Sequence, residues 1–140
     1  MAVALCWLHV APRVVIVCRC NRRLTYRFTR QQRLLKTDEF SSVFSLRRTQ
    51  SNAWFQVWSK PNSLGQARVG VVVAKKIVKR AVGRNRIKRL VRETFRLHAA
   101  ELQALDLIIR AKQPVCRAKA GEARAALLRL LDRYRPCPAS

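Results

Sequence analysis

The segment GRNRIKRLVRETFR, residues 83–96, sets Ile87, Leu90, Val91 and Phe95 at helical spacing among Arg84, Arg86, Lys88, Arg89, Arg92 and Arg96. At about 100° per residue, Ile87, Leu90, Val91, Thr94, Phe95, Leu97 and His98 gather on one side of a helix. Arg84, Asn85, Lys88, Arg89, Arg92 and Arg96 gather on the other. Any fold that holds this helix must provide an apolar interior for one flank and leave the opposite flank open. Like charges at i,i+4, as in the series Arg84, Lys88, Arg92 and Arg96, repel by roughly a few tenths of a kcal/mol per pair. Glu93 is the one carboxylate in the segment. A solvated face usually mixes signs, so this density of one sign favours a polyanionic partner. Lys75, Lys76, Lys79 and Arg80 lie just upstream and extend the patch.

The whole chain agrees with that reading. Thirty Lys and Arg against seven Asp and Glu give a formal charge of +23, which opposes compaction until a polyanion such as nucleic acid neutralises it. Nearly half of the 140 residues are apolar, far more than a disordered basic tail carries, and the length suits one domain. The five cysteines, Cys6, Cys18, Cys20, Cys116 and Cys137, form no C-x-x-C pair. With His9 and His98 they do not complete a zinc set, so reduced thiols and no metal site are expected. His98 falls on the apolar side of the helix, where a hydrogen-bonded core or border histidine is the common outcome. No carboxylate pair, activated nucleophile or phosphate-binding glycine loop appears, so the polypeptide shows no catalytic residues of its own.

Around the basic helix the pattern predicts an α+β fold in the order αββαβα, with one mixed sheet packed by helices. Thr37 is the expected cap of a first helix running to about Arg47, with Asp38 and Glu39 suiting its positive end. The stretch 53–61 alternates as a strand, with Trp54, Gln56 and Trp58 on one face and Phe55 and Val57 on the other. Residues 68–76 read as a central strand covered on both faces. Residues 105–111 read as a third strand, and 120–135 as a last helix with Ala123, Leu127, Leu130, Leu131 and Tyr134 in a stripe.

Residues 1–23 differ in character. His9 and Pro12 split the apolar stretch and no Lys or Arg precedes Arg13, which is not the order of a secretory signal, and neither half could span a bilayer. Two readings stand: a poorly ordered extension without a part in the function, or residues added by a start site set too far upstream. The expected organisation is an extension over 1–23, a single RNA-binding domain over 24–136 and a flexible end over 137–140.

VGVVVAKKIVKRAVGRNRIKRLVRETFR, residues 69–96, resembles the signature region of the protein subunit of bacterial ribonuclease P, with Arg84, Asn85 and Arg86 as its RNR motif and Lys88 and Arg89 completing it. RLLKTDEFSSVF, 33–44, resembles that family's first helix, and LDLIIRAKQP, 105–114, its later strand. The resemblance covers about residues 26–135, and the extension before it departs from the family pattern. It implies a cytoplasmic ribonucleoprotein endonuclease that removes the 5′ leader from precursor transfer RNA. In that family the RNA subunit forms the catalytic centre and binds the magnesium ions that activate water, and the protein assists by binding. The RNA subunit would be held through Arg84, Asn85, Arg86, Lys88, Arg89, Arg92 and Arg96. The single-stranded leader would lie in a groove between the first helix and the sheet, bounded by Phe40, Phe44, Trp58, Lys75 and Lys76. The resemblance also implies a left-handed βαβ crossover around the basic helix. No membrane and no small-molecule substrate are implied.

The aromatic residues fit that assignment independently. Phe40 and Phe44 stand at i and i+4 on one helix face, and Trp58 shares its strand face with the polar Gln56. Stacking of unpaired bases on aromatics is sequence-tolerant, which suits a leader that differs among precursors; ordinary core packing is the alternative for Phe40 and Phe44. A non-catalytic RNA- or DNA-binding protein, such as a ribosomal protein, would share the charge and the core but not the long motif and the groove. A membrane-surface protein would need Ile87 and Phe95 to leave the interior.

Overall fold

A run as apolar as residues 107–109 can only be stable where both sides of the sheet are covered, and the computed structural model places it there. The structure describes residues 28–136; the expected extension over 1–23, the end over 137–140, and Cys6, Cys18, Cys20 and Cys137 lie outside them. Helix α1 (Thr37–Ser45) is followed by strands β1 (Thr49–Ser51), β2 (Phe55–Pro61) and β3 (Arg68–Val72), then α2 (Ala81–His98), β4 (Leu105–Ala111) and α3 (Ala120–Leu131). The four strands form one mixed sheet in the order β1-β2-β4-β3. Strand β4 runs antiparallel to β2 and parallel to β3, with Ile108 opposite Trp58 on one side and Gly70 on the other. Leu107, Ile108 and Ile109 have no solvent exposure.

Alternation along these strands separates two cores. Phe55 and Val57 of β2, Val69 of β3 and Leu107, Ile109 and Ala111 of β4 join Ile87, Val91 and Phe95 of α2 and Ala123, Leu127, Leu130 and Leu131 of α3. On the other side, Ile108 meets Leu34 and Val43, with Phe40, Trp58 and Val72 packed around them. At about 1.5–3 kcal/mol per fully buried large side chain, the first core dominates the stability of the fold. The second is a smaller pad that seats α1.

Several expectations need correction. The central strand is β4; β3 stands at the end of the sheet. Its outer side is partly occupied by the chain before α1, where the Leu34 amide donates to the Val69 carbonyl at 3.1 Å, which explains how an edge strand can be so apolar. Strand β3 stops at Val72 rather than at Lys76 because the chain turns away: the Ala74 carbonyl accepts from the amides of Ile77 and Val78, both at 3.1 Å. Strand β1 was not anticipated, since three polar residues at a sheet edge carry no pattern. Trp54 precedes β2 and packs against the larger core instead of sharing Trp58's face. The cause is Asn52, whose Oδ1 accepts from the amides of Trp54 and Phe55 at 2.9 and 2.7 Å and bends the chain before the strand. Thr37 is the first helical residue of α1 and Lys36 its cap position; Glu39 turns back instead, its Oε2 accepting from the amides of Leu35 and Lys36. After Leu131, α3 tightens into a short 3-10 turn that ends at Tyr134.

Candidate nucleic-acid interface

Helix α2 presents its buried seam as Ile87, Val91, Thr94 and Phe95, with the Thr94 hydroxyl donating to the Leu90 carbonyl at 2.9 Å. This spacing leaves Asn85, Arg86, Arg89 and Arg92 exposed on the far flank and Lys88 half-buried beside it. None of the four basic residues among them makes an ion pair within the described residues. Such a row of donors without acceptors suits phosphate oxygens.

Two expected members of the row are otherwise engaged. The Arg84 guanidinium folds back and donates to the carbonyls of Val78 and Lys79, at 3.1 and 2.7 Å, clasping the turn that leads into α2. At 100° per residue Arg84 lies only one turn before Lys88 and close to the buried seam, so its side chain is directed to that turn. Arg96 pairs with Glu93, and its hydrogen bond holds the Glu93 carboxyl below the usual range, with the nearby charges of Arg96 and Arg124 acting in the same direction. Leu97 is an exception on the other side: it is 40% exposed instead of packed. His98 stands half-buried at the border, its Nδ1 3.1 Å from Glu101.

The opposite side of the sheet carries a different chemistry. The rings of Phe44 and Trp58 meet edge to face with centroids 4.9 Å apart. Phe44 is 38% exposed and Trp58 half-buried, so part of the pair faces solvent. Phe40 lies deeper, directly on Gly70, where a Cβ would stand 2.7 Å from two of its ring carbons. Glycine at that position lets α1 approach the sheet this closely.

Beneath the helix, Arg68 ties α1 to the strands. It donates to Glu39 at 2.7 Å and to both oxygens of the buried Asp106 at 2.8 and 2.6 Å, while Asn62 adds a 2.7 Å bond to Asp106. Burial raises the Glu39 carboxyl, but the Arg68 bond and the two backbone amides outweigh that and hold it below its ordinary value. Two carboxylates keep the Arg68 guanidinium firmly protonated.

Lys75 and Lys76 are exposed in the turn after β3, and their side chains make no hydrogen bond or ion pair among the described residues. One residue escaped the sequence reading. Arg110 pairs in register with Gln56 and Val72, on the face that carries Ile108 and Trp58, and is exposed. The alternation Asp106, Ile108, Arg110 was the available signal.

Among the described residues no three His, Cys, Asp or Glu side chains come together in a way that could hold a metal ion. The innermost carboxylates, Glu39 and Asp106, are already committed to Arg68.

Comparison with known proteins settles the lineage. A family described as Ribonuclease P matches residues 28–135. The chain belongs to the ribonuclease P protein family. It is 56% identical over 115 residues to the ribonuclease P protein component of Chromobacterium violaceum, covering 82% of this chain and 95% of that protein. The corresponding component of Azoarcus is 49% identical over 107 residues, 76% and 89% of the two chains. The solved ribonuclease P protein of Staphylococcus aureus superposes with a TM-score of 0.65 at 30% identity, over 73% of this chain and 94% of that one. The Thermotoga maritima protein gives 0.61 at 27%, over 74% and 98%. As the protein component of ribonuclease P, the chain is part of an endoribonuclease and assists its RNA subunit in processing the 5′ leader of precursor transfer RNA. No helix of the described residues is long and apolar enough to cross a membrane.

Proposed function

We propose that the two sides of the sheet divide the labour of this ribonucleoprotein. The exposed flank of α2, with Asn85, Arg86, Lys88, Arg89 and Arg92, binds the RNA subunit, while Arg84 and Arg96 shape that flank through their own contacts. The groove between α1 and the sheet, with Phe40, Phe44 and Trp58, binds the unpaired leader, and Arg110, Lys75 and Lys76 neutralise its phosphates. Magnesium, held mainly by the RNA subunit, supplies activated water at the scissile phosphate. The cytoplasm, where precursor transfer RNA is made, is the site of action.

The observation that supports this reading is the segregation itself. A row of arginines without ion pairs among the described residues, Arg86, Arg89 and Arg92, lies on the α2 flank, and a partly exposed edge-to-face aromatic pair, with Arg110 on the same sheet face, lies on the other side. Base stacking contributes about 1–3 kcal/mol per base and ignores sequence, as a variable leader demands. Phosphate contacts position an RNA of fixed shape without reading its bases.

Reconstitution of the full chain with its cognate RNA subunit at low magnesium tests the proposal. Precursor cleavage with the protein and little without it is expected. Equal cleavage in both samples would overturn it.

A further inference from the structure

Helices α2 and α3 do not close against each other along their whole length. Near the start of α3 they leave a cleft of about 750 Å³, lined by Arg86, Arg89, Arg92 and Arg96 from α2 and by Arg117 and Arg124 from around and within α3. Phe28, Leu90, Ala120 and Gly121 add an apolar floor, and Glu93, already bonded to Arg96, is its one carboxylate. Arg86, Arg89, Arg92, Arg117 and Arg124 make no ion pair among the described residues. Converging guanidinium groups repel one another, and Glu93, which feels Arg96 and Arg124, is the one carboxylate of the lining to offset them.

A second observation points the same way. Gly121 stands in the first turn of α3, where glycine is a poorer helix former than alanine. Its backbone does not require glycine, since its φ is not in the left-handed region, and a Cβ there would meet nothing within 4 Å. The first turn also leaves amide groups without helical acceptors, and those amides favour an anion. The position is therefore open to a ligand that approaches the backbone, and the residue on it does not fill the space.

We infer that this cleft is a second RNA-binding site, in which Arg117 and Arg124 of the α3 region complete the grip of α2 on a looped, unpaired segment of the RNA subunit. The phosphates of that segment bond the guanidinium groups from both helices, and a base rests on the apolar floor at Leu90, beside the Phe28 ring that Arg33 covers at 4.8 Å. The inference rests on the reading of α2 as the RNA-subunit helix. The RNA subunit is favoured over precursor because the cleft shares Arg86, Arg89 and Arg92 with that flank and lies across the sheet from Phe44 and Trp58.

The test uses the full chain and measures binding to the cognate RNA subunit over a potassium chloride series. The double substitution Arg117→Gln with Arg124→Gln should weaken affinity on the order of tenfold. It should flatten the salt dependence by about 1.4 units, the value for two phosphates of a single strand. Gly121→Leu, which fills the open space with a better helix former, should weaken RNA binding severalfold while the thermal midpoint holds or rises. That combination is not expected of a glycine with a structural role. Wild-type affinity and slope in both variants would overturn the inference. So would intact binding of the RNA subunit with a loss confined to precursor. Failure of the unsubstituted chain to bind the RNA subunit would instead remove the reading of α2 on which the cleft depends.

Discussion

The two sides of the sheet are built from the same strands, yet they present opposite surfaces. Behind α2 and α3 lies the larger core, and the outer flank of α2 carries Arg86, Arg89 and Arg92, which make no ion pair among the described residues. Under α1 the core is small, its polar centre is neutralised internally by Arg68, Glu39 and Asp106, and its rim is aromatic. The side with the larger core suits a partner of constant shape, since charge on a helix seated over that core keeps its position. The lightly seated side suits a ligand whose bases vary, because stacking asks only for an exposed ring.

The sharpest way to break that comparison is to remove charge from one side and watch the other. Arg89→Gln with Arg92→Gln is expected to cost roughly 100-fold in affinity for the RNA subunit at moderate salt and to flatten its salt dependence. The preference for precursor over mature transfer RNA in the holoenzyme should be retained. Filter binding over a salt series, repeated with both transfer RNAs, measures each arm. A lost precursor preference would mean that the two sides are not separate.

The converse substitution is Trp58→Ala. Loss of one stacking platform is expected to weaken precursor binding roughly tenfold, within the range of about 1–3 kcal/mol for one base. Affinity for mature transfer RNA and for the RNA subunit should stay unchanged. Equal losses for precursor and mature forms would make Trp58 a packing residue only.

Gly70→Ala probes how α1 is seated. The added methyl meets the Phe40 ring at 2.7 Å. Because Phe40 is only half-buried, the ring can shift, and the expected cost is about 1 kcal/mol, at the low end of overpacking effects. Urea unfolding gives that figure. A several-fold loss of precursor affinity should accompany it, and an unchanged affinity would separate the seat of Phe40 from the groove.

How far this division could be read beforehand depended on the kind of signal. The α2 wheel separated Ile87, Val91 and Phe95 from Arg89 and Arg92 because a helix with one buried flank repeats that flank every three to four residues. Arg84 was assigned to the charged flank although at about 100° per residue it falls beside Val91 and Phe95, and its guanidinium folds back to carbonyls five and six residues earlier. Trp58 was assigned to the open face by alternation alone. The same alternation placed Trp54 on that face and was wrong there, since Asn52 bends the chain before β2 begins and Trp54 packs on the larger core. The central place of β4 depends on which strand becomes its neighbour, a pairing that the apolar content of β3 concealed. The cleft arginines Arg117 and Arg124 were invisible because only the approach of α3 to α2 brings them together.

The smallest expected effect tests the link beneath α1. Glu39 joins the helix to the sheet through Arg68 at 2.7 Å, and its carboxyl is held below the ordinary value of 4.5. A depressed carboxyl stabilises the fold only while it is ionised. Its contribution is therefore complete above the ordinary value and disappears as pH falls through the lower folded value. Arg68 stays protonated throughout that range, so the loss belongs to the carboxylate. Since Glu39 retains 24% side-chain exposure, solvent screening limits the pair to under about 1 kcal/mol. Glu39→Gln should thus lower stability slightly at neutral pH and remove part of the acid-side dependence, so that the two unfolding curves converge as pH drops below 4.5. If instead the offset between variant and parent persisted at low pH, the Glu39 side chain would be acting through packing or its hydrogen bonds to Leu35 and Lys36, and α1 would be anchored by shape, not by charge.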